Sequence, residues 1–128
     1  MEGDFQATSA PPRWTLSTCT VDVETTPTSV LVTIAGELDM ADADRVGAIL
    51  VEAASAGRPI VRVDLAALEF ADSSAVKSIL LGAKAADEQG VSYELINPHG
   101  SVRRLLGVTG LSDALTVIDE PDYQEGPN

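Results

Sequence analysis

Two stretches of this chain share one pattern, an apolar strand-like run that gives way to a helix with a single apolar face. No other feature restricts the fold as much. The first run is VLVTIAG, residues 30–36, nearly continuous in apolar residues and suited to a central strand. Behind it, ELDMADADRVGAILVEAASAGRP carries Val46, Ile49, Leu50 and Ala53 at helical spacing, with Asp42 and Asp44 near the positive end and Gly57 and Pro59 as stop signals. The second run, IVRVDL, puts Val61, Val63 and Leu65 on one face and leads through AALEFA into DSSAVKSILLGAKAADEQG. There Val76, Ile79, Leu80 and Ala83 recur at i, i+3, i+4 and i+7, and Gly90 ends the helix. A strand-helix-strand crossover is right-handed and returns the chain in the same direction, so these strands are predicted to be parallel.

The remaining segments complete the order. Residues 15–24 alternate loosely through Leu16, Val21 and Val23, and TTPTS supplies a turn. VSYELI reads as a strand, and NPHGSVRRLLGVTG as a short helix that buries Val102, Leu105 and Leu106, with Ser101 as its cap and Gly110 past its end. ALTVI makes a last strand. The expected fold is a single α/β domain of order β-β-α-β-α-β-α-β, a mixed, mostly parallel sheet with helices packed on one face. With one Trp, two Tyr and two Phe in 128 residues, its core must come from aliphatic side chains. Residues 14–118 form the domain, residues 1–13 a flexible N-terminal segment, and residues 119–128 an acidic flexible tail.

Charge removes one class of partner. A net charge of −12 repels a phosphate backbone, and no cluster of Lys and Arg offsets it, so no nucleic acid is expected. The lone Cys19 has no second cysteine to pair with and no ligand partners nearby, and reads as a small buried strand residue. The opening MEGDFQATSAPPRW has acids where a secretory leader would be basic, and no run is long enough to span a bilayer. A cytoplasmic protein without membrane partners is expected. Catalysis is not: the only histidine, His99, lies between Pro98 and Gly100 in a predicted loop, and no serine occupies a nucleophile elbow. No phosphate loop or carboxylate cluster is present for a nucleotide or metal, so no cofactor is expected.

The junction at Asp72, Ser73 and Ser74 bears on function. A helix opens there with free backbone N–H groups, and either serine is placed to cap it. One cap does not account for two hydroxyls behind an acid. The alternative is that one caps while the other faces solvent at an exposed strand-to-helix corner.

VDLAALEFADSSAVKSIL resembles the signature of STAS domains, specifically the anti-sigma factor antagonists, in which an aspartate followed by a phosphorylatable serine opens a helix. IAGELDMADA resembles that family's second strand and turn, and NPHGSVRRLLGVTGLSDAL its C-terminal helix, so the likeness runs in order over residues 16–118. The resemblance implies that Ser73 is the phosphoacceptor, with Asp72 the acid beside it and Ser74 a second hydroxyl that is not modified. It places Asp39 in a turn next to the acceptor, and Asp39 is also positioned to cap the first long helix. The implied partner surface comprises Asp39, Asp72, Ser73, Ser74, Ala75 and Lys77. Where the family commonly has Gly this chain has Ala75, and a methyl there points to slower phosphorylation or a narrower choice of partner.

The function so implied is that of an interaction module. The unphosphorylated form binds an anti-sigma factor that is also a serine kinase, and a sigma factor is thereby released. Phosphorylation of Ser73 ends binding, and a protein phosphatase restores it. The competing implication is a STAS protein that is a fixed subunit of a lipid-transport or stress-sensing complex, with no phosphate switch.

Overall fold

The computed structural model describes residues 13–120. Within them run β1 Arg13–Thr15, β2 Cys19–Thr25, β3 Ser29–Leu38, α1 Ala43–Ala54, β4 Ile60–Asp64, β5 Leu68–Ala71, α2 Ser73–Gln89, β6 Ser92–Ile96, α3 Gly100–Val108, α4 Leu111–Ala114 and β7 Thr116–Ile118. The strands form one mixed sheet in the order β1-β2-β3-β4-β6-β7, with β5 also paired to β3. β1, β2 and β3 are antiparallel neighbours, whereas β4, β6 and β7 join in parallel, as the three helical crossovers require.

One face of the sheet is covered. Val30, Val32 and Ile34 of β3 alternate inward with Val61 and Val63 of β4 and Leu95 of β6, all nearly inaccessible. Val46, Ile49, Leu50 and Ala53 of α1 pack into the same cluster, and Val102 and Leu106 of α3 join it. The opposite face is mixed: Arg62 bonds Glu94 at 3.0 Å across the strands, while Asp64 and Ile96, paired two residues on, are buried.

Four expectations need revision. The single strand expected over residues 15–24 is broken at residues 16–18, which turn β1 onto β2. IVRVDLAALEFA is two strands, because the Asp64 carboxylate accepts from the Ala66 N–H at 2.9 Å and Leu68 N–H reaches the Leu65 carbonyl, making a turn. On α2 the buried positions are Ala75, Ser78, Ile79, Gly82 and Ala86; Leu80, expected inside, is 42% exposed. The inward face is offset because α1 lies close on that side. A Cβ on Gly82 would come within 2.8 Å of Leu50 Cβ and 2.5 Å of Tyr93 Oη, so only glycine fits there without a shift of its neighbours. Last, α3 begins at Gly100 rather than behind a Ser101 cap: Ser101 instead donates to the Glu69 carbonyl, and α4 adds a turn that the sequence did not signal.

The segments expected at the ends, residues 1–13 and 119–128, lie mostly outside the described residues. Where they enter them, they are held. Arg13 is paired with Asp22 in the β1–β2 ladder. Glu120 N–H donates to Asn97 Oδ1 at 2.7 Å, Asn97 Nδ2 returns a bond to the Glu120 carbonyl at 3.0 Å, and the Glu120 carboxylate meets Arg62 Nη2 at 2.5 Å.

Candidate functional site

The register of β3 and β5 builds the site. Leu38 lies opposite Ala71 in a parallel pair, so the chain leaves the sheet side by side at Asp39 and at Asp72, and Asp72 N–H donates to the Leu38 carbonyl. The pairing reaches that far because of Gly36. With φ +99° it shifts the register between Gly36 and Glu37, and a Cβ there would fall 2.7 Å from the Thr18 carbonyl.

Neither serine caps α2. Asp72 does, in extended conformation (φ −109°), with Oδ1 accepting from the Ser74 N–H at 2.9 Å and from the Ser74 hydroxyl at 2.5 Å. The Ser74 hydroxyl lowers the Asp72 carboxyl pKa most, partial burial opposes it, and the amides of Ser74, Ala75 and Met40 add to the lowering. Asp72 is thereby a fixed anion, and Ser74 is occupied.

The other hydroxyls differ sharply. Ser78 is buried and donates to the Ala43 carbonyl at 2.6 Å, tying α2 to the start of α1. Ser73, the first residue of α2, is exposed, and its hydroxyl makes no hydrogen bond among the described residues. Of the three hydroxyls in SSAVKS, only Ser73 is both accessible and free.

Asp39 acts one step earlier than expected. Its Oδ1 accepts from the Ala41 N–H at 3.0 Å, closing the turn, and its carbonyl accepts from the Asp42 and Ala43 amides. The residue at the cap position of α1 is Asp42, whose carboxylate turns away to the Ser17 and Thr18 amides at 3.0 and 2.8 Å. Lys77 is exposed one turn beyond Ser73. Ala75 is not a surface residue: at 0% exposure its methyl faces the core with Ile79 and Ala86, so it presents nothing to a docking protein.

Two residues went unread in the sequence. Met40, 80% exposed, follows Asp39 in its turn, and Phe70, 45% exposed, lies on β5 two residues before Asp72 and opposite Glu37. Their signal was available: each is a large apolar residue outside every periodic face.

Other chemistry-bearing groups are engaged elsewhere. His99 donates from Nε2 to the Ala66 carbonyl at 2.8 Å and pins α3 to the β4–β5 turn. Burial, reinforced by Asp42, pushes the Cys19 thiol up to about 12, which leaves it protonated and unreactive. Among the described residues no group of three His, Cys, Asp or Glu is arranged to hold a metal, and no helix is long and apolar enough to cross a membrane.

A hairpin-edged parallel sheet, with an Asp-capped helix offering one free serine beside a second strand exit, defines an α/β domain of the STAS class. The chain belongs to the family described as "Mlab, STAS domain", whose model matches residues 21–118. No curated protein sequence matches it. Among solved structures, an anti-sigma factor antagonist from Mycobacterium paratuberculosis superposes with TM-score 0.71 at 23% identity, over 82% of this chain and 89% of that one. The antagonist SpoIIAA in its unphosphorylated form gives 0.70 at 22%, over 82% and 91%. The Bacillus cell-fate determinant SpoIIAA in its phosphorylated form gives 0.64 at 22%, over 82% and 95%. At these identities the likeness speaks for the fold.

Proposed function

We propose that the chain is an anti-sigma factor antagonist controlled by phosphorylation of Ser73. Unmodified, it binds an anti-sigma factor that is also a serine kinase, through Asp39, Asp72, Ser73, Ser74 and Lys77, and so releases a sigma factor. The kinase then modifies Ser73 and binding ends, and a phosphatase resets it. The setting is the cytoplasm, and the binding unit is residues 14–118. One observation carries the reading: Ser73 is the hydroxyl of this corner left exposed and unbonded, at the N-terminus of a helix of 17 residues.

The physics of a phosphate there supports a switch that spares the fold. It adds about −1.5 to −2 charges beside Asp72, but the helix N-terminus favours an anion by ~0.3–1 kcal/mol. At an interface the balance reverses, because a partner shaped for a neutral hydroxyl must desolvate a dianion. A penalty of about 4 kcal/mol weakens binding roughly a thousandfold. The buried Ala75 methyl no longer argues against phosphorylation by this route.

The test is incubation of the protein with purified anti-sigma kinases and ATP, followed by peptide mass spectrometry and binding titrations. Phosphate is expected on Ser73. Ser73→Ala should bind constitutively, Ser73→Glu weakly, and Ser74→Ala should remain switchable. Phosphate confined to Ser74 or Ser78, or equal affinity for modified and unmodified protein, refutes the switch. The matching model bears the name Mlab and not that of an antagonist, which favours a second reading, a fixed STAS subunit of a lipid-transport or stress-sensing complex. On that reading no kinase modifies Ser73.

A further inference from the structure

The exposed face of α2 continues beyond Ser73 as an ordered stripe. Ser73, Lys77, Leu80 and Lys84 follow one another at spacings of four, three and four residues, so they share one side of the helix over about 16 Å. All four are solvent-accessible, Leu80 at 42%, and Leu81 beside them is 51% exposed. Leu81 also reaches across to α1: a Cβ on Gly47 would lie 3.1 Å from Leu81 Cδ1, so the apolar strip spans the α1–α2 seam.

The charges on this strip run against the rest of the molecule. The chain has 8 Lys and Arg against 20 Asp and Glu. Arg13, Arg62 and Arg103 are held in ion pairs; among the described residues Lys77 and Lys84, like Arg45, Arg58 and Arg104, are in none. Asp87 and Glu88 close the helix beyond Lys84, and Asp44 is exposed on α1. Two leucines between two ammonium groups that no ion pair holds make a surface complementary in both respects to one kind of ligand. Lys77 and Lys84 stand seven residues apart, about 10.5 Å, which is two turns of a helix.

We propose that the stripe Lys77, Leu80, Leu81 and Lys84 is the docking surface for an acidic amphipathic helix of the protein partner, one with carboxylates two turns apart and leucine-like residues between them. This rests on the reading of the chain as a binding module and adds the chemistry of what it binds. Apolar contact supplies affinity, and the two lysines fix register and select against basic segments.

Two arms test it. First, the 15N-labelled protein is titrated with a synthetic Leu/Glu helix carrying Glu at seven-residue spacing, and with the same peptide bearing Lys for Glu. The acidic peptide should shift the amides of residues 77–84, the basic one should not, and the double substitution Lys77→Glu, Lys84→Glu should weaken binding about tenfold or more. Leu80→Ser with Leu81→Ser should do the same without loss of the circular-dichroism spectrum. Shifts elsewhere, no shifts, or equal binding of both peptides overturns the proposal. So does a concentration-dependent dimer that perturbs the same amides, since the occupant would then be a second copy. Second, whichever anti-sigma factor binds the unmodified chain is titrated against the lysine variant. Unchanged affinity there overturns the proposal even if the peptide binds. If no anti-sigma factor binds at all, the antagonist reading falls, and the peptide arm still decides the stripe.

Discussion

Replacing Asp42 by alanine probes how the β1–β2 turn is fastened to α1. Asp42 is 2% exposed, and its carboxylate accepts from the Ser17 N–H at 3.0 Å, the Thr18 N–H at 2.8 Å and the Thr18 hydroxyl at 3.3 Å. Burial pulls the carboxyl pKa upward, but the Thr18 and Ser17 amides, with the Cys19 and Ser17 side chains, outweigh it and bring the value from 3.8 to about 2. Because the folded pKa lies below the unfolded one, the stabilisation is fully present above the unfolded value and disappears as pH falls through the folded one. The shift is equivalent to roughly 2 kcal/mol, and solvent around the exposed Ser17 and Thr18 screens part of it, leaving about 1–2 kcal/mol. Those donors can bond to water once the carboxylate is gone, so the substitution should cost little beyond that. At about 4 °C per kcal/mol for a domain of this size, Asp42→Ala should melt about 4–8 °C lower near neutrality. The gap should close as pH falls through the window from 3.8 to about 2. Thermal unfolding followed by circular dichroism across that range is the assay. An undiminished gap in acid would mean that Asp42 acts through packing, and a negligible one near neutrality that its hydrogen bonds contribute nothing.

Three further expectations follow from the packing and the turns. Gly82→Ala gains helix propensity of about 1 kcal/mol but drives a methyl into Tyr93 and Leu50 and strains the buried Tyr93 hydroxyl bond to the Ile79 carbonyl at 2.9 Å; a net loss of about 2 kcal/mol should appear in urea titration, and a stabilised variant would refute the close approach of α1 and α2. A chain ending at Asp119 loses the Glu120 bonds to Arg62 and Asn97 and should melt about 4–8 °C below one ending at Glu120, for about 1–2 kcal/mol; equal melting temperatures would make Glu120 part of a free tail. Asp39→Ala removes the bond to the Ala41 amide and should cost at most ~2 kcal/mol while weakening partner binding; a folded variant with unchanged affinity would leave Asp39 as a turn residue alone.

The sequence alone carried the alternation of strand and helix, the parallel core, the inward face of α1 and the corner at residues 72–74, because each rests on periodicity or on a local end signal. Gly57, Gly90 and Gly110 fall where helices stop, each with positive φ, since that conformation is a property of the residue itself. It also named the residues of the corner without saying which hydroxyl was free. That depended on Asp72 taking the cap and on Ala43 lying within reach of Ser78, and the second is a contact between residues 35 positions apart. The same holds for the α2 face. Leu80 and Ile79 are equally apolar, and only the closeness of α1, permitted by Gly47 and Gly82, decides that one is buried and the other meets solvent. Adjacent exits of Asp39 and Asp72 were likewise beyond local reading, because strand register is set by which side chains fill the core and by a bulge at Gly36 whose need appears only when Thr18 is brought against it. Local propensity specifies elements and their ends, whereas accessibility, hydrogen-bond ownership and register arise from what the rest of the chain places alongside.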